Sequence, residues 1–192
     1  MKKIPTLYLR DPATKLRYVK NEVHPDCQWV IDGEGVPTYK WDGTAVKIDD
    51  SLRMWKRREV KKGKPAPDGF VEETHDTVTG KRTGWVPVYT DDPSSRWHWE
   101  AYHGTYTGDL RPGTYELIGP KIQGNPHGAV EHMLIPHGQH QLDGVPTAFD
   151  ALAAWLHDPT ADHGIDHGFE GVVWWHPDGR MAKIKVKDFP QP

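Results

Sequence analysis

Short apolar runs, broken by glycine, proline and charge, set the rhythm of this chain. Alternating or compact β-prone segments fall at residues 8–10, 28–31, 45–48, 85–89, 113–117, 171–175 and 180–186. The last two flank His176-Pro177-Asp178-Gly179, and an Asp-Gly pair suits a tight hairpin turn. Helical spacing is rarer. It is carried by residues 147–156, with Thr147 as the expected N-cap and Asp150 at the third helical position. A second helix is predicted over 94–102 and a loop over 61–67. No repeat or linker divides the pattern, so it predicts one α+β domain across residues 1–192, dominated by antiparallel sheet.

Composition narrows the classes. The 192 residues are 36% hydrophobic and include nine tryptophans, enough to bury a sizeable core. Lysine and arginine number 24 against 27 aspartates and glutamates, a net charge of -3. That excludes a generally basic nucleic-acid binder but leaves room for a local basic groove. Cys27 is the only cysteine, so no intrachain disulfide and no cysteine metal cluster can form, and a reducing compartment is the simplest fit. Residues 1–12 lack the apolar run of a signal peptide, and no apolar window of about 18 residues occurs. The expectation is a soluble, cytoplasmic or otherwise intracellular protein without membrane association.

Chemistry concentrates in a few segments. Lys40-Trp41-Asp42-Gly43 precedes the alternating run 44–48. A nucleophilic lysine must be deprotonated at the moment of attack, which neighbouring positive charge, metal or desolvation promotes. Attack on a nucleotide phosphate further needs cations around the phosphates, an acidic group for a metal, and groups that recognise ribose and base. Candidates follow in Arg57-Arg58, Tyr115-Glu116, Glu170-Gly171-Val172-Val173 and Lys183-Ile184-Lys185. The period of two sets Lys183 and Lys185 on one strand face and Ile184 on the other. Glu170 stands at the mouth of the preceding strand, so the hairpin brings one carboxylate toward two lysines.

Taken in order, these segments resemble the motifs of the covalent nucleotidyltransferases, the polynucleotide ligases and mRNA capping enzymes. Lys40-Trp41-Asp42-Gly43 is similar to the first motif and Arg57-Arg58 to the second basic one. Tyr115-Glu116 looks like the central acidic motif, Glu170-Gly171-Val172-Val173 the fourth, and Lys183-Ile184-Lys185 the fifth. Residues 119–126 and 185–189 look most like the RNA ligase branch, and the resemblance covers about 28–189. It implies a nucleotidyltransferase core of antiparallel sheets flanked by helices, and no OB-fold domain is expected within this length.

The resemblance also implies roles. Lys40 attacks the α-phosphate of ATP to form a lysine–AMP bond. The AMP then passes to an RNA 5'-phosphate, and a 3'-hydroxyl displaces it to seal or repair the strand. Arg58, or nearly as well Arg57, donates to a phosphate or the ribose. Glu116 receives the ribose hydroxyls or helps place a metal, and Glu170 holds Mg2+, with Mn2+ as a substitute. Lys183 and Lys185 neutralise the α-phosphate, and Asp42 positions the loop. His127 stands where an adenine-stacking tyrosine or phenylalanine is expected. Lys187 continues the same period as a candidate RNA contact. Two other readings stay open: a minimal DNA or RNA–DNA hybrid nick ligase, and a non-catalytic RNA-end or nucleotide-binding module.

Other features carry less. The twelve histidines are irregularly spaced, and the pair His163 and His167 reads as a polar loop rather than a zinc site. Most tryptophans, Trp97, Trp99, Trp174 and Trp175 among them, are expected in the core, with one exposed ring as a candidate for RNA stacking. Gly104, Gly108 and Gly113 lack the lysine and hydroxyl of a P-loop. Residues 61–106 are the expected substrate-facing insertion.

Overall fold

The computed structural model describes residues 4–105, 110–158, 160, 161, 163 and 168–191. The end of the expected insertion at Tyr106, the turn glycine Gly108 and the second histidine of the spaced pair, His167, lie outside the described residues. In chain order the first elements are β1 (Tyr8–Arg10), β2 (Val19–Val23), α1 (Gln28–Ile31), β3 (Val36–Tyr39), β4 (Thr44–Ile48) and β5 (Met54–Val60). Next come β6 (Val71–Asp76), β7 (Lys81–Pro87), α2 (Arg96–Gly104), β8 (Gly113–Ile118) and β9 (Met133–Pro136). The last are α3 (Phe149–His157), β10 (Gly171–Trp175) and β11 (Met181–Lys185). This is an α+β chain with antiparallel strand pairing and few helices. None of the helices, among the described residues, is long and apolar enough to cross a membrane.

Two compact units divide these elements: Ile4–Trp41 with Gly138–Pro192, and Asp42–His137. In the first, β3, β10 and β11 form a sheet of order β11-β10-β3, and β1 pairs with β2. Alternation assigns its faces. Val172, Ile184 and Tyr39 share the core face, where Leu7, Trp29, Leu152, Trp174 and Phe189 pack with them. Thr38, Lys40, Val173, Lys183 and Lys185 fall on the opposite face. The N-terminal segment runs beside β11: the Leu7 amide donates to the Lys183 carbonyl at 2.8 Å, and the Lys183 amide to that of Pro5 at 3.0 Å. In the second unit the order is β6-β7-β5-β4-β8-β9, with Val46, Ile48, Met54, Tyr115, Leu117 and Leu134 in one core.

The hairpin over residues 176–180 forms where the Asp-Gly pair placed it, closed by the His176 amide donating to the Arg180 carbonyl at 2.9 Å. Two local expectations are corrected. Residues 28–31 are a single helical turn, not a strand. His24 opens it by accepting the Asp26 amide on Nδ1, and the turn buries the adjacent Trp29 and Val30 together, which a strand would point apart. The predicted cap Thr147 lies one residue outside helix α3, whose N-cap is Ala148 with no side-chain bond. The Thr147 carbonyl is instead taken by the Tyr8 hydroxyl at 2.5 Å.

Ile184 is fully buried between two lysines of the opposite face. Ile184→Ala is therefore expected to destabilise the chain by about 3 kcal/mol. Val78→Ala, at a side chain 91% exposed, is expected to stay within about 0.5 kcal/mol. Denaturant unfolding followed by tryptophan fluorescence separates the two; equal effects would refute the assignment of faces.

Candidate active site

Glu170 stands where three strands come level. The Lys40 amide donates to the Gly171 carbonyl at 2.9 Å, continuing the β3–β10 ladder, while Gly171 pairs with Lys185 on the other side. The Glu170 carboxylate therefore meets a lysine from each neighbouring strand. Lys40 Nζ donates to its Oε2 and Lys185 Nζ to its Oε1. The glutamate side chain is 9% exposed and those of Lys40 and Lys185 20% and 21%. Burial pushes the Glu170 carboxyl up, but Lys40 and Lys185 together outweigh it and hold the group below the ordinary glutamate range.

Gly171 makes this approach possible. Its φ is +150°, and a Cβ there would run into the Ile184 carbonyl and the Lys185 backbone. The Val186 amide then reaches the Glu170 carbonyl at 3.0 Å.

Lys183 lies on the same face as Lys40 and Lys185, yet its ammonium makes no ion pair or hydrogen bond among the described residues. Burial, then the charges of Lys185 and Lys40, pull it down to about 8 from 10.5. Tyr39, buried between Trp41, His140 and Phe169, is raised by burial and then by Glu170.

A second constellation is built within the unit Asp42–His137. The Gly43 amide donates to Glu116 Oε1 at 3.0 Å, and His137 Nε2 donates to Glu116 Oε2 at 2.9 Å. His137 is itself fixed by Thr114, through Nδ1 to the hydroxyl at 3.0 Å and its own amide to the carbonyl at 3.1 Å. The Asp42 amide donates to His127 Nε2 at 2.9 Å. Two consecutive amides of the lysine motif are thus held by side chains. Gly43 is needed for the approach, since a Cβ there would collide with the Leu117 carbonyl.

The two arginines separate. Direct pairing links Glu116 to Ala45 and Lys47 to Trp55, so Arg57, two residues on from Trp55, shares the Glu116 face. Arg58 falls on the opposite face, with Lys56 and Val46. Lys56 is tied there to Asp92, Ser94 and Ser95. Among the described residues no group of three or more His, Cys, Asp or Glu is placed to hold a metal ion. His163 stacks on Phe169 at 4.1 Å, and Trp97 lies between His132 and Arg96.

His137 was hidden in the sequence among twelve histidines. Its partner Thr114 lies two residues before Glu116 on the same strand face, and that spacing was the available signal. The pairing of Arg10 with Asp188 at 2.7 Å, 178 residues apart, left no local signal at all.

Opposite effects are expected from neighbouring lysine-cluster variants. Glu170→Gln leaves two part-buried ammoniums without their carboxylate and is expected to destabilise by about 3 kcal/mol. The Glu170 contribution is intact above the ordinary glutamate range and disappears as pH falls through its lowered native value, so the variant flattens the acid limb. Lys183→Met removes a burial penalty and is expected to be no less stable than wild type at neutral pH. That penalty is full below about 8 and gone above 10.5, because between them the unfolded chain holds more of the proton. Denaturant midpoints across pH test both, and a destabilised Lys183→Met protein contradicts the unpaired ammonium. His137→Ala, which strands one Glu116 oxygen, is expected to lose about 2 kcal/mol, and His137→Gln to recover part of it in the same assay.

Comparison with known proteins places these residues in context. Residues 105–189 match the family model described as RNA ligase 1, a segment holding Glu116, His127, Glu170, Lys183 and Lys185. RNA ligase 1 of Rattus norvegicus is 30% identical over 158 residues, 67% of this chain and 44% of its own length. The Mus musculus protein is 29% identical over 157 residues, again 67% and 44%. That of Pongo abelii is 29% identical over 151 residues, 64% and 42%. The chain spans less than half the length of these curated relatives. Its similarity supports an RNA ligase family.

Proposed function

We propose that this chain is the adenylating core of an ATP-dependent RNA ligase, a nucleotidyltransferase domain that joins 5'-phosphate and 3'-hydroxyl RNA ends. The observation that carries the reading is the lysine cluster: Lys40, Lys183 and Lys185 on one sheet face, with Glu170 shared by two of them. Such a face offers a nitrogen nucleophile among cations that no surface salt bridge requires.

In the first step the Lys40 Nζ–Pα bond forms, the Pα–O bond to the β-phosphate breaks, and pyrophosphate leaves with the amine proton going to solvent. Lys183 and Lys185 supply charge to the α-phosphate oxygens. In the second, an oxygen of the RNA 5'-phosphate attacks Pα and the P–N bond breaks, which restores the amine. In the third, the 3'-hydroxyl attacks the 5'-phosphorus and AMP departs. Glu116 and Arg57, which share a face, are assigned to the ribose and phosphates. Arg58 then serves the RNA backbone. His127, which accepts the Asp42 amide on Nε2 beside the lysine motif, is assigned to the adenine.

Mg2+, with Mn2+ as substitute, supplies neutralisation of phosphate charge when bound, and a single carboxylate suits an ion that keeps its waters and takes phosphate oxygens. Glu170 fits that need best. Both its oxygens are engaged by ammoniums, and the nitrogen of a phosphoramidate at Lys40 carries no positive charge, which frees one of them. Glu116 would have to give up Gly43 or His137.

The test is self-labelling. Protein freed of bound nucleotide, incubated with α-phosphate-labelled ATP and Mg2+, is expected to retain label after denaturation, and Lys40→Ala to retain none. Unlabelled wild type, with Mn2+ tried as well, would sink the reading. Strand preference follows from joining assays: sealing only of DNA or hybrid nicks would favour the nick-ligase alternative.

A further inference from the structure

Beside the cluster, and within the same unit, lies a cavity of about 450 Å3 lined by Arg10, Tyr18, Lys183, Lys185, Lys187 and Asp188. Four cations face one carboxylate, and that carboxylate is fully committed. Asp188 is 2% exposed; its Oδ1 accepts from Arg10 Nη2 at 2.7 Å and its Oδ2 from the Lys185 amide at 2.9 Å. Arg10 Nη1 is held by the Arg17 carbonyl at 2.9 Å, so the guanidinium is fixed against the wall with its other donors left over. The Lys185 ammonium belongs to Glu170.

Lys183 and Lys187 remain, and neither ammonium has an ion-pair or hydrogen-bond partner among the described residues. Lys187 is exposed, whereas the charge of Lys183 is not the solvated fringe of a surface strand. Lys183 is buried enough to be pulled down to about 8, a state that Asp188 and Glu170 offset only in part and that an anion in the cavity would relieve further.

The ligand class follows from three constraints. The occupant is an anion with several acceptor oxygens, since the donors converge from β1, β11 and the turn after it. It sits next to, but not on, Lys40, because Lys185 is the wall shared by the cavity and the Lys40–Glu170 cluster. It is compact, because Arg10 and Lys187 bound the same small volume. We propose that this cavity is the subsite for the terminal 5'-phosphate of the RNA strand, with Arg10 and Lys187 as its donors, Lys183 as the cation it shares with the α-phosphate, and Asp188 as the group that aims Arg10. The assignment rests on the reading of Lys40 as the adenylated residue, since that is what requires a second phosphate beside the first.

The experiment compares the binding of two fluorescent oligoribonucleotides, identical but for a 5'-phosphate or a 5'-hydroxyl, to the full chain and to Arg10→Gln and Lys187→Gln. Lys187 is exposed and paired with nothing described, so its variant tests the subsite even if loss of the Asp188 partner disturbs the fold of the first. Wild type is expected to prefer the phosphorylated strand. Each variant is expected to lose about tenfold of that preference, the size of one charge-assisted hydrogen bond, while affinity for the hydroxyl strand stays nearly constant. Equal weakening of both strands overturns the proposal, since the cations then serve the backbone at large. So does an intact phosphate preference combined with a higher ATP requirement for Lys40 labelling, which would give the cavity to the nucleotide's own phosphates. Failure of wild type to label at all counts against the ligase reading alone, because discrimination between the strands is measured without ATP.

Discussion

Everything on the lysine-bearing face depends on one buried carboxylate shared by two ammonium groups. Glu170 could not be held ionised at 9% exposure by a single partner without losing much of the Coulombic gain to desolvation. With Lys40 on one oxygen and Lys185 on the other, its full acceptor capacity faces positive charge. The arrangement demands that β3, β10 and β11 keep one register. A slip of one residue in either ladder would send Lys40 or Lys185 to the core face and bring Tyr39 or Ile184 out. Burial of Ile184 and the charge of Glu170 thus enforce the same alignment from opposite sides of the sheet.

The two motif glycines work by the same device. Gly171 lets β10 close on β11 so that Glu170 reaches Lys185, and Gly43 lets the loop after Lys40 close on β8 so that its amide reaches Glu116. At both positions the nearest obstacle to a Cβ is backbone, which cannot yield as a flexible side chain can. The consequence for chemistry is rigidity. The amides of Asp42 and Gly43 are held by His127 and Glu116, and Glu116 is steadied by His137 on Thr114. A loop fixed in this way does not spend substrate binding energy on its own ordering.

How much of this was legible beforehand depended on how local the cause was. The β10–β11 hairpin was legible because an Asp-Gly turn and two alternating runs lie within fifteen residues. The common face of Lys183 and Lys185 followed from the period of two. Strand β5, Met-Trp-Lys-Arg-Arg-Glu-Val, was not seen as a strand. Its middle is exposed on both faces, so it shows a charge run instead of apolar alternation, and neighbouring strands supply the pairing that its composition does not announce. Residues 28–31 misled for the converse reason: four apolar-rich positions fit a strand or one turn of helix equally, and a preceding proline turn decided the matter. What no local pattern could give was the anchoring of Arg10 on Asp188 or of Glu116 by His137, which exist only once the sheets are assembled.

The charge on the lysine face has a further meaning on the proposed reading. At rest three lysines face one glutamate, with Asp188 already paired to Arg10, and the excess is registered at Lys183, whose hold on its proton is weakened by burial and by the two other lysines more than Asp188 and Glu170 restore it. Transfer of AMP to Lys40 removes one cation, because a phosphoramidate nitrogen is neutral, and brings in one phosphate anion. Two lysines then face two anions. The face is therefore unbalanced before the bond forms and balanced after it, so its electrostatics favour the adenylated state over the free one. A cluster selected only for stability would have balanced its charges in the empty protein, or replaced the lysines with apolar side chains of similar size. The surplus at Lys183 is intelligible as complementarity to a phosphate that the chain itself does not contain.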